Sequence, residues 1–376
     1  MVEVVKVENK KQKDAFINFQ YNIYKDSPNF VPPLKMDRYK LLDDQKNPFF
    51  KENDSALFLA YKNGEIVGRI AAIENKRHNE THNDTAGFFG FYESINDVEV
   101  AKALVDTAIS WNKEKGYTKV IGPVNPHLND DSPGFLLKGH DDDNIMLLAY
   151  TQPYYITLME SIGLEKAKDL YSYWVNTDEI KGEAKLKSVF EKVKKRHNIT
   201  IRPINMKNFD EEYLIVQDIF NKAWENNWGQ TPLTEEDFKY IASDLKSLVN
   251  TDFVLLAFKG DTPIGMAAAF PDVNEIFKGM KGSLFSLGLF RFLKYLVTKS
   301  AGIKRLRIFI LGVLPEYENT GATAGLYMEL INNARKGGFI GGEMAWILED
   351  NVKMNKAAES FGAELVKTYR LYETAV

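Results

Sequence analysis

The sequence repeats itself, and this repeat limits the folds that the chain can adopt. Residues 57–73 align without a gap with residues 254–270, at an offset of 197 (254 − 57), and six of the 17 paired positions are identical. In each copy two apolar stretches flank a short turn, Asn63-Gly64 in the first and Gly260-Asp261 in the second. This pattern is typical of a β-hairpin, so the chain is predicted to contain the same hairpin twice.

Two further matches keep nearly the same offset. Residues 160–173 match residues 359–372 at six positions with an offset of 199 (359 − 160), and a weaker match around Pro33 and Pro232 keeps that value. Several matches at one spacing indicate a duplicated structural unit. We therefore predict an N-terminal domain over residues 1–177, a linker helix within 178–198 and a C-terminal domain over 199–376.

Composition narrows the classes of function. The 376 residues are 44% hydrophobic and 27% charged, as in soluble globular proteins with room for two cores. A formal net charge of −4 gives no broad basic surface for DNA, and the absence of cysteine excludes thiolate nucleophiles and cysteine-type zinc sites. No metal is expected. The first residues lack the apolar core of a signal peptide and no run of 18 apolar residues occurs, so a cytoplasmic location without a transmembrane segment is expected.

Residues 308–330 predict a strand, a glycine-bearing loop and a helix. An apolar run precedes Pro315 and Gly321, and the helical pattern that follows has apolar residues at a spacing of four: Ala322, Leu326, Leu330 and Ala334. The first N–H groups of a helix have no partner within the helix, and the helix dipole favours negative charge there. The pattern is therefore suited to binding an anion such as a pyrophosphate.

Together with residues 346–373, this stretch resembles the acetyl-CoA-binding half of the GNAT N-acetyltransferase superfamily. Asn351 and Gly362 match the asparagine and the glycine of that family's pattern LxVxxxNxxAxxxYxxxGF. The resemblance implies an α+β (α/β layered) fold of two tandem GNAT-like domains, each a mixed, mostly antiparallel sheet flanked by helices. This double arrangement is similar to N-myristoyl transferase and the Fem aminoacyltransferases. It also implies N-acyl transfer from acetyl-CoA or another acyl-CoA, as co-substrate, to a small-molecule or peptide amine.

The resemblance assigns the acyl-CoA to the second copy. The residues implied to contact it lie on the strand, on the loop and at the family's asparagine: Leu311, Gly312, Val313, Tyr317, Thr320, Gly321, Ala322, Thr323, Ala324 and Asn351. In the first copy the corresponding loop has no glycine and carries Glu93 and Asp97, whose charges would repel a pyrophosphate. That loop is therefore predicted to be degenerate.

Acyl transfer to an amine requires a base that removes the amine's proton. Glu343, Glu349 and Asp350 lie on or beside the strand that is predicted to face the site, and they are the candidate bases. For Glu343 and Asp350 the alternative is a solvated position at the strand end. Tyr372 is a candidate acid or, alternatively, a core tyrosine. Two candidate acceptor-binding residues, Trp224 and Asn226, follow the first helix of the second copy, although Trp224 could equally pack in the core. Three more, Asn125, His127 and Asn129, lie in a polar insertion over residues 122–144 that could equally be a solvated loop.

Two other stretches leave several interpretations open. Residues 284–297 have apolar residues at helical spacing, interrupted by Gly288, Arg291 and Lys294. They could pack in a core or between domains, form a wall for an acyl chain, or lie on a membrane surface. His78 and His82, with nearby acidic residues, could bind a metal or form a solvated hairpin tip.

Two rival functions remain open. The Fem resemblance implies aminoacyl transfer from tRNA, which an isoelectric point of about 5.9 disfavours. A binding or regulatory protein with a decayed site is the other, because Glu318, Thr323 and Ala358 differ from the residues usual in the GNAT family. The sequence does not predict the acyl length, the acceptor or the oligomeric state.

Overall fold

The structure is a computed structural model that describes residues 1–128, 133–286, 288–299 and 301–376, apart from the side chains of Val193 and Asp244. Asn129 therefore lies outside the described residues. The strands are β1 (Val2–Lys6), β2 (Ser55–Lys62), β3 (Glu65–Ile73), β4 (Ala86–Ser94), β5 (Lys119–Gly122), β6 (Phe135–Lys138), β7 (Glu165–Asn176), β8 (Ile199–Pro203), β9 (Val254–Lys259), β10 (Thr262–Pro271), β11 (Arg305–Val313), β12 (Gly341–Leu348) and β13 (Glu364–Ala375). The α-helices are α1 (Lys10–Ile23), α2 (Lys35–Leu41), α3 (Phe49–Glu52), α4 (Lys76–His82), α5 (Val98–Glu114), α6 (Tyr154–Ser161), α7 (Glu183–His197), α8 (Phe209–Ala223), α9 (Glu235–Leu245), α10 (Asn274–Phe277), α11 (Gly288–Thr298), α12 (Ala322–Gly337) and α13 (Val352–Ser360). Short 3-10 turns cover Met206–Asn208, Thr251–Phe253, Lys278–Met280 and Pro315–Thr320.

The chain forms two compact units. Unit 1 comprises Met1–Leu170, Phe277–Ser286 and Lys367–Val376, and unit 2 comprises Tyr171–Ile276 and Leu287–Val366. Each unit contains a mixed sheet with helices packed against it, which confirms the predicted α+β fold class.

The sheet of unit 1 has the order β1-β2-β3-β4-β5-β13, and β6 also pairs with β13. All of these neighbours are antiparallel except β4 and β5, which run parallel. The β2–β3 hairpin has the predicted turn, with Asn63 at φ 54° and Gly64 at φ 82°. Both residues of a type I′ turn need positive φ, which Asn and Gly tolerate best.

Helix α5 covers one face of this sheet and supplies much of the unit 1 core. Its buried apolar residues recur at helical spacing: Val100, Ala101, Leu104, Val105 and Ala108. They pack with apolar residues from strands β2 to β5 and from α6. Gly68 allows the close approach, since a Cβ atom there would lie 2.6 Å from a methyl carbon of Leu104.

Unit 2 repeats this arrangement with the order β7-β12-β11-β10-β9-β8. Strands β8 to β11 are antiparallel, and β11 and β12 run parallel. Helix α12 packs beside α7, where Gly325 lies against the ring of Phe190. The helix predicted within 178–198 is present as α7, but it belongs to unit 2 rather than forming a separate linker. Within unit 2, Glu183 of α7 pairs with Arg335 of α12 at 2.6 and 2.8 Å.

Residues 367–376 complete the sheet of unit 1, although the repeat assigned them to the second copy. Tyr372 to Ala375 pair with Gly122 to Lys119 of β5, and Thr368 to Arg370 pair with β6. Arg370 also binds both oxygens of Asp169 at 2.8 and 3.0 Å. Residues 171–176, the end of the equivalent strand β7 from the first half of the sequence, belong to unit 2.

Two polar stretches are more ordered than the sequence suggested. Within residues 122–144, the described part contains strand β6 and buried apolar residues such as Val124, Leu128 and Phe135, so the interpretation as a solvated loop is wrong. The stretch around His78 forms helix α4 rather than a hairpin tip. Asn75 caps its start by accepting a hydrogen bond from the backbone N–H of His78, and Asn83 ends it with φ 49°.

Acid is expected to destabilise unit 1 through His78. Burial, followed by the neighbouring His82, lowers the pKa of His78 from the ordinary value of 6.5 to about 4. Between pH 6.5 and 4, His78 is protonated in the unfolded chain but mostly neutral in the folded one. The stability that the neutral imidazole contributes is therefore fully present above pH 6.5 and is lost as the pH falls towards 4. His78→Leu removes this dependence. Between pH 7 and pH 4.5, the difference in free energy of unfolding between wild type and variant should change by about 2 kcal/mol. An unchanged difference in urea titrations would contradict the prediction.

Candidate active site

Two parallel strands of unit 2 separate partway along their length. The pairs between β11 and β12 run from Arg305 and Gly341 to Ile308 and Met344. Among the described residues no pair joins the strands beyond that point, although β11 continues to Val313 and β12 to Leu348. Strand β11 remains paired with β10 over its far end. The part of β11 that is unpaired with β12 contains the half-buried residues 309–312, which include the predicted Leu311 and Gly312. We call this unpaired region between the two strands the opening.

Helix α12 begins just beyond the end of β11. The turn Pro315–Thr320 leads to Gly321, whose φ of 74° favours glycine, and no side chain caps the helix. The first hydrogen bond of the helix runs from the N–H of Gly325 to the carbonyl of Gly321, at 3.1 Å. The N–H groups of Ala322, Thr323 and Ala324 therefore lack partners within the helix, as the sequence predicted for an anion site.

Glu318 is the residue of this loop that least suits an anion site, and it carries an ion pair. Its carboxylate accepts a hydrogen bond from the Lys353 ammonium of α13. Both side chains are substantially exposed, so the pair is weak in energy, but it offsets the negative charge of Glu318. Elsewhere in the loop, the Thr320 hydroxyl donates a hydrogen bond to the carbonyl of Tyr317 at 2.5 Å.

The three candidate bases occupy two different environments. Glu343 is fully buried in the paired part of β12, where it accepts hydrogen bonds from Ser172 at 2.6 Å and Arg305 at 3.4 Å. Glu349 and Asp350 instead follow the end of β12, half-buried and exposed respectively, where the separated strand enters α13. Glu343 is thus part of a buried structural ion pair, whereas Glu349 and Asp350 lie where the part of β12 that is unpaired with β11 ends.

Asn351 and Asn355 organise the start of α13. The Asn351 side chain caps the helix by accepting a hydrogen bond from the N–H of Met354 at 3.1 Å. Asn355, which the sequence analysis missed, donates to the carbonyls of Leu348 and Glu349 at 3.0 and 3.2 Å. Its buried side-chain oxygen has no partner among the described residues and can accept a hydrogen bond from a bound molecule. In the sequence, the only sign of this residue was an asparagine within a helical pattern, and its burial became evident only from the structure.

Trp224 and Gly312 come together in unit 2. A Cβ atom on Gly312 would lie 2.4 Å from the indole ring of Trp224, so the ring packs directly on the β11 backbone. The same ring stacks on Phe220 with centroids 5.3 Å apart. Asn226 is exposed in the turn that follows α8. One predicted acceptor-binding residue thus lies beside a predicted cofactor-contacting residue.

The other predicted site residues belong to unit 1. Tyr372 is a core residue whose hydroxyl lies 3.3 Å from an oxygen of Glu160, consistent with the alternative interpretation of this tyrosine. Asn125 accepts a hydrogen bond from the N–H of Phe91 at 2.7 Å, and His127 is buried against Phe49. These contacts give all three residues structural partners within unit 1.

The equivalent region of unit 1 is filled by its own residues. Strands β4 and β5 pair only at three positions, but the backbone of Val124 then lies so close to β4 that a Cβ atom on Gly90 would be 1.5 Å from its carbonyl oxygen. At the start of α5, Asp97 accepts hydrogen bonds from the N–H groups of Glu99 and Val100. The two positions of unit 1 that correspond to the opening and to the start of α12 are therefore occupied by residues of the protein itself.

Solved structures share this architecture. The chain matches a tandem GNAT protein from the clavulanic acid biosynthesis pathway with a TM-score of 0.57 and 11% identity, covering 100% of this chain and 98% of the other. A GCN5-related N-acetyltransferase from Sphaerobacter thermophilus matches with a TM-score of 0.52 and 12% identity, covering 99% and 95%. At these identities the likeness concerns the fold, and it confirms the predicted tandem GNAT architecture.

Two curated relatives define the family more closely. Protein YghO of Escherichia coli K12 is 34% identical over 372 residues, covering 98% of this chain and 94% of the relative. A bacterial ceramide synthase of Caulobacter vibrioides is 30% identical over 383 residues, covering 100% and 98%. The protein belongs to the family of these two relatives. No family model matches the chain.

Proposed function

We propose that the protein is an acyl-CoA-dependent N-acyltransferase whose site lies in unit 2. The observation that carries this proposal is the separation of β11 from β12 in front of the uncapped start of α12. An acyl-CoA has an extended arm that can lie along an opened strand edge and a pyrophosphate that suits free helix N–H groups. Unit 1, in which residues of the protein occupy both positions, has an architectural role in this proposal.

In this proposal, different residues of unit 2 bind different parts of the acyl-CoA. The N–H groups from Ala322 to Ala324 bind the pyrophosphate, next to the loop residues Tyr317 to Gly321. A backbone N–H near Leu311 to Val313 donates to the thioester carbonyl, which stabilises the negative charge that develops there. The Asn355 oxygen and Asn351 hold polar groups of the pantetheine arm.

The reaction forms an amide and releases CoA. The amine nitrogen attacks the thioester carbonyl carbon, the C–S bond breaks, and the nitrogen loses a proton while the departing thiolate gains one. Glu349 or Asp350 accepts the proton from the amine, directly or through water, because both follow the end of β12 at the opening. Glu343, held by Ser172 and Arg305, supports β12 without taking part in proton transfer. Trp224 borders the acceptor side.

The ceramide synthase relative suggests the class of substrates. A ceramide is the amide of a fatty acid and a long-chain amino alcohol. With 30% identity over the whole chain, this relative favours a long-chain acyl-CoA as the donor and the amine of a long-chain amino alcohol as the acceptor. The test is mass-spectrometric detection of the amide when palmitoyl-CoA and sphinganine are supplied together, with acetyl-CoA and octanoyl-CoA as comparison donors.

Thr323→Glu is expected to abolish tight acyl-CoA binding. The variant adds a carboxylate beside the N–H groups of α12, where it competes with and repels the pyrophosphate, so the Kd should rise at least about tenfold. Thr323→Gln, of the same size but neutral, is the matched control and should retain binding. Both side chains suit the first turn of a helix, and Thr323 is only half-buried, so both variants should fold. Calorimetric titration with the three acyl-CoA esters measures the effect.

Several outcomes would count against this proposal. Equal binding by Thr323→Glu and Thr323→Gln would place the phosphates elsewhere. If neither wild type nor variant binds any acyl-CoA, the site is decayed or the donor is an aminoacyl-tRNA. Intact turnover in both Glu349→Gln and Asp350→Asn would remove the assignment of the base.

A further inference from the structure

Helix α11 in unit 2 presents a stripe of apolar side chains to solvent. Phe290 is 73% exposed, Leu293 is 48% exposed and Val297 is 84% exposed. Their spacing of three and four residues puts them on one side of the helix. Lys294, also exposed, lies one turn beyond Phe290 and borders this side. We call the three apolar residues the α11 stripe.

The opposite side of α11 is anchored, so the stripe faces outward for a structural reason. Tyr295 is fully buried, and its hydroxyl donates a hydrogen bond to the carbonyl of Leu248 at 2.6 Å. The Arg291 guanidinium donates to the carbonyls of Ala301 and Glu275 at 3.2 and 2.9 Å. These contacts fix the rotation of the helix about its axis. The interpretation as a helix that buries its apolar residues by packing therefore does not hold for the α11 stripe.

The sequence around α11 is basic in an acidic protein. Residues 276–315 contain eight Lys and Arg residues and no Asp or Glu. Since the whole chain has a formal charge of −4, the remainder carries −12 (−4 − 8). Arg291 is close to Glu275, at 3.9 Å, but Lys294 beside the α11 stripe is exposed. The α11 stripe therefore lies in a segment with an excess of positive charge, although Lys278 and Arg305 are paired with Asp143 and Glu343 and Arg307 is buried.

We propose that α11 docks unit 2 on the surface of an anionic lipid bilayer. A helix with an apolar side and flanking basic residues lies in the plane of the interface, where its apolar residues enter the acyl boundary and its cations face anionic headgroups. Among the described residues no helix is long and apolar enough to cross a bilayer, so the contact is with the surface. The inference rests on α11 and not on the proposed reaction.

A second copy of the chain is a poorer occupant for this surface. A symmetric contact through the α11 stripe would bring the Lys294 residues of the two copies close together, and like charges at an interface oppose association. An anionic bilayer instead attracts these residues. Three apolar side chains also give a small area compared with a stable protein interface, but a bilayer needs no shape complementarity.

Vesicle flotation tests the proposal. Wild-type protein should float with phosphatidylcholine vesicles that contain about a third phosphatidylglycerol, and much less with pure phosphatidylcholine or at high salt. Phe290→Ser/Leu293→Ser/Val297→Ser should lower the partition coefficient at least about a hundredfold, because three buried apolar side chains are lost. Lys294→Ala alone should lower it about fivefold.

A matched control separates the stripe from general surface hydrophobicity. Leu214, Ile340 and Leu365 are exposed apolar residues of unit 2 outside α11, so their triple serine variant should float like wild type. Circular dichroism should show that both triple variants are folded, because all six side chains are exposed. Failure of wild type to float, or equal loss in both variants, would overturn the proposal, as would a dimer of wild type that only the α11 variant dissociates. Acyl-CoA titration without vesicles tests the proposed function separately, so either proposal can fail alone.

Discussion

Deletion of residues 367–376 is expected to unfold unit 1 and leave unit 2 largely intact. The segment pairs with β5 and β6, and it buries Tyr369, Leu371 and Tyr372 almost completely. Truncation of one such side chain to alanine typically costs about 2–5 kcal/mol, so loss of all three exceeds much of the stability of a typical domain. Hydrogen exchange measured by mass spectrometry should show rapid exchange in β4 and β5 of the deletion variant.

The same deletion removes an ion pair that responds to pH. Burial raises the pKa of Asp169, but Arg370 and Lys166 together hold it below its ordinary value. Stability from this carboxylate is therefore present above the ordinary pKa and is lost as the pH falls. As a control, a fragment of residues 1–177 should not fold alone, whereas the same fragment joined by flexible linkers to 277–286 and 367–376, the other two segments of unit 1, should. If β5 stayed protected from exchange in the deletion variant, residues 367–376 would be dispensable for the fold of unit 1.

Glu93→Leu is expected to destabilise unit 1 by about 3–5 kcal/mol, because the substitution leaves the buried guanidinium of Arg69 without its charged partner. Glu93 lies inside unit 1, where the hydroxyls of Tyr24 and Tyr155 donate to it at 2.5 and 2.7 Å. Arg69, also buried, is 3.6 Å away. Burial raises the pKa of Glu93, although Arg69 and the hydrogen bonds from the two tyrosines act in the opposite direction. Burial also lowers the pKa of Arg69.

A double-mutant cycle distinguishes this effect from simple loss of packing. Arg69→Met should also be strongly destabilising, but Glu93→Leu combined with Arg69→Met should be clearly less destabilising than the sum, because no unpaired charge remains. Asp106→Ala is the control for an exposed pair. Asp106 binds Lys102 one helical turn away, and its loss should cost no more than about 0.5 kcal/mol. Additive effects of the two core substitutions, measured by urea unfolding, would show that the charges are not coupled.

The repeated hairpins and α12 were predictable because their signals are local. The turn at Asn63-Gly64 requires positive φ, and glycine tolerates it. Ala322, Leu326, Leu330 and Ala334 are all buried, as their spacing predicted. The start of α12 was also predictable, since a strand, a glycine and a helix in succession produce free N–H groups wherever they occur.

The features that could not be predicted depend on contacts distant in sequence. Nothing local distinguishes residues 171–176 from residues 370–375, yet each completes the unit that the repeat did not assign to it. For the same reason Tyr372 could be considered as an acid, although its hydroxyl lies beside Glu160 in unit 1. Helix α11 has apolar residues on two sides, so spacing alone could not tell which side would be buried and which exposed.

The position of residues 367–376 has a consequence for how the protein is made. A ribosome adds about 5–20 residues per second, so this strand emerges roughly 10–40 s after Leu170. During that interval β5 has an unpaired edge, and open edges of this kind readily pair with strands of other chains. The nascent polypeptide must therefore protect the first half, by its own later segments or by chaperones, until synthesis of the second half is nearly finished.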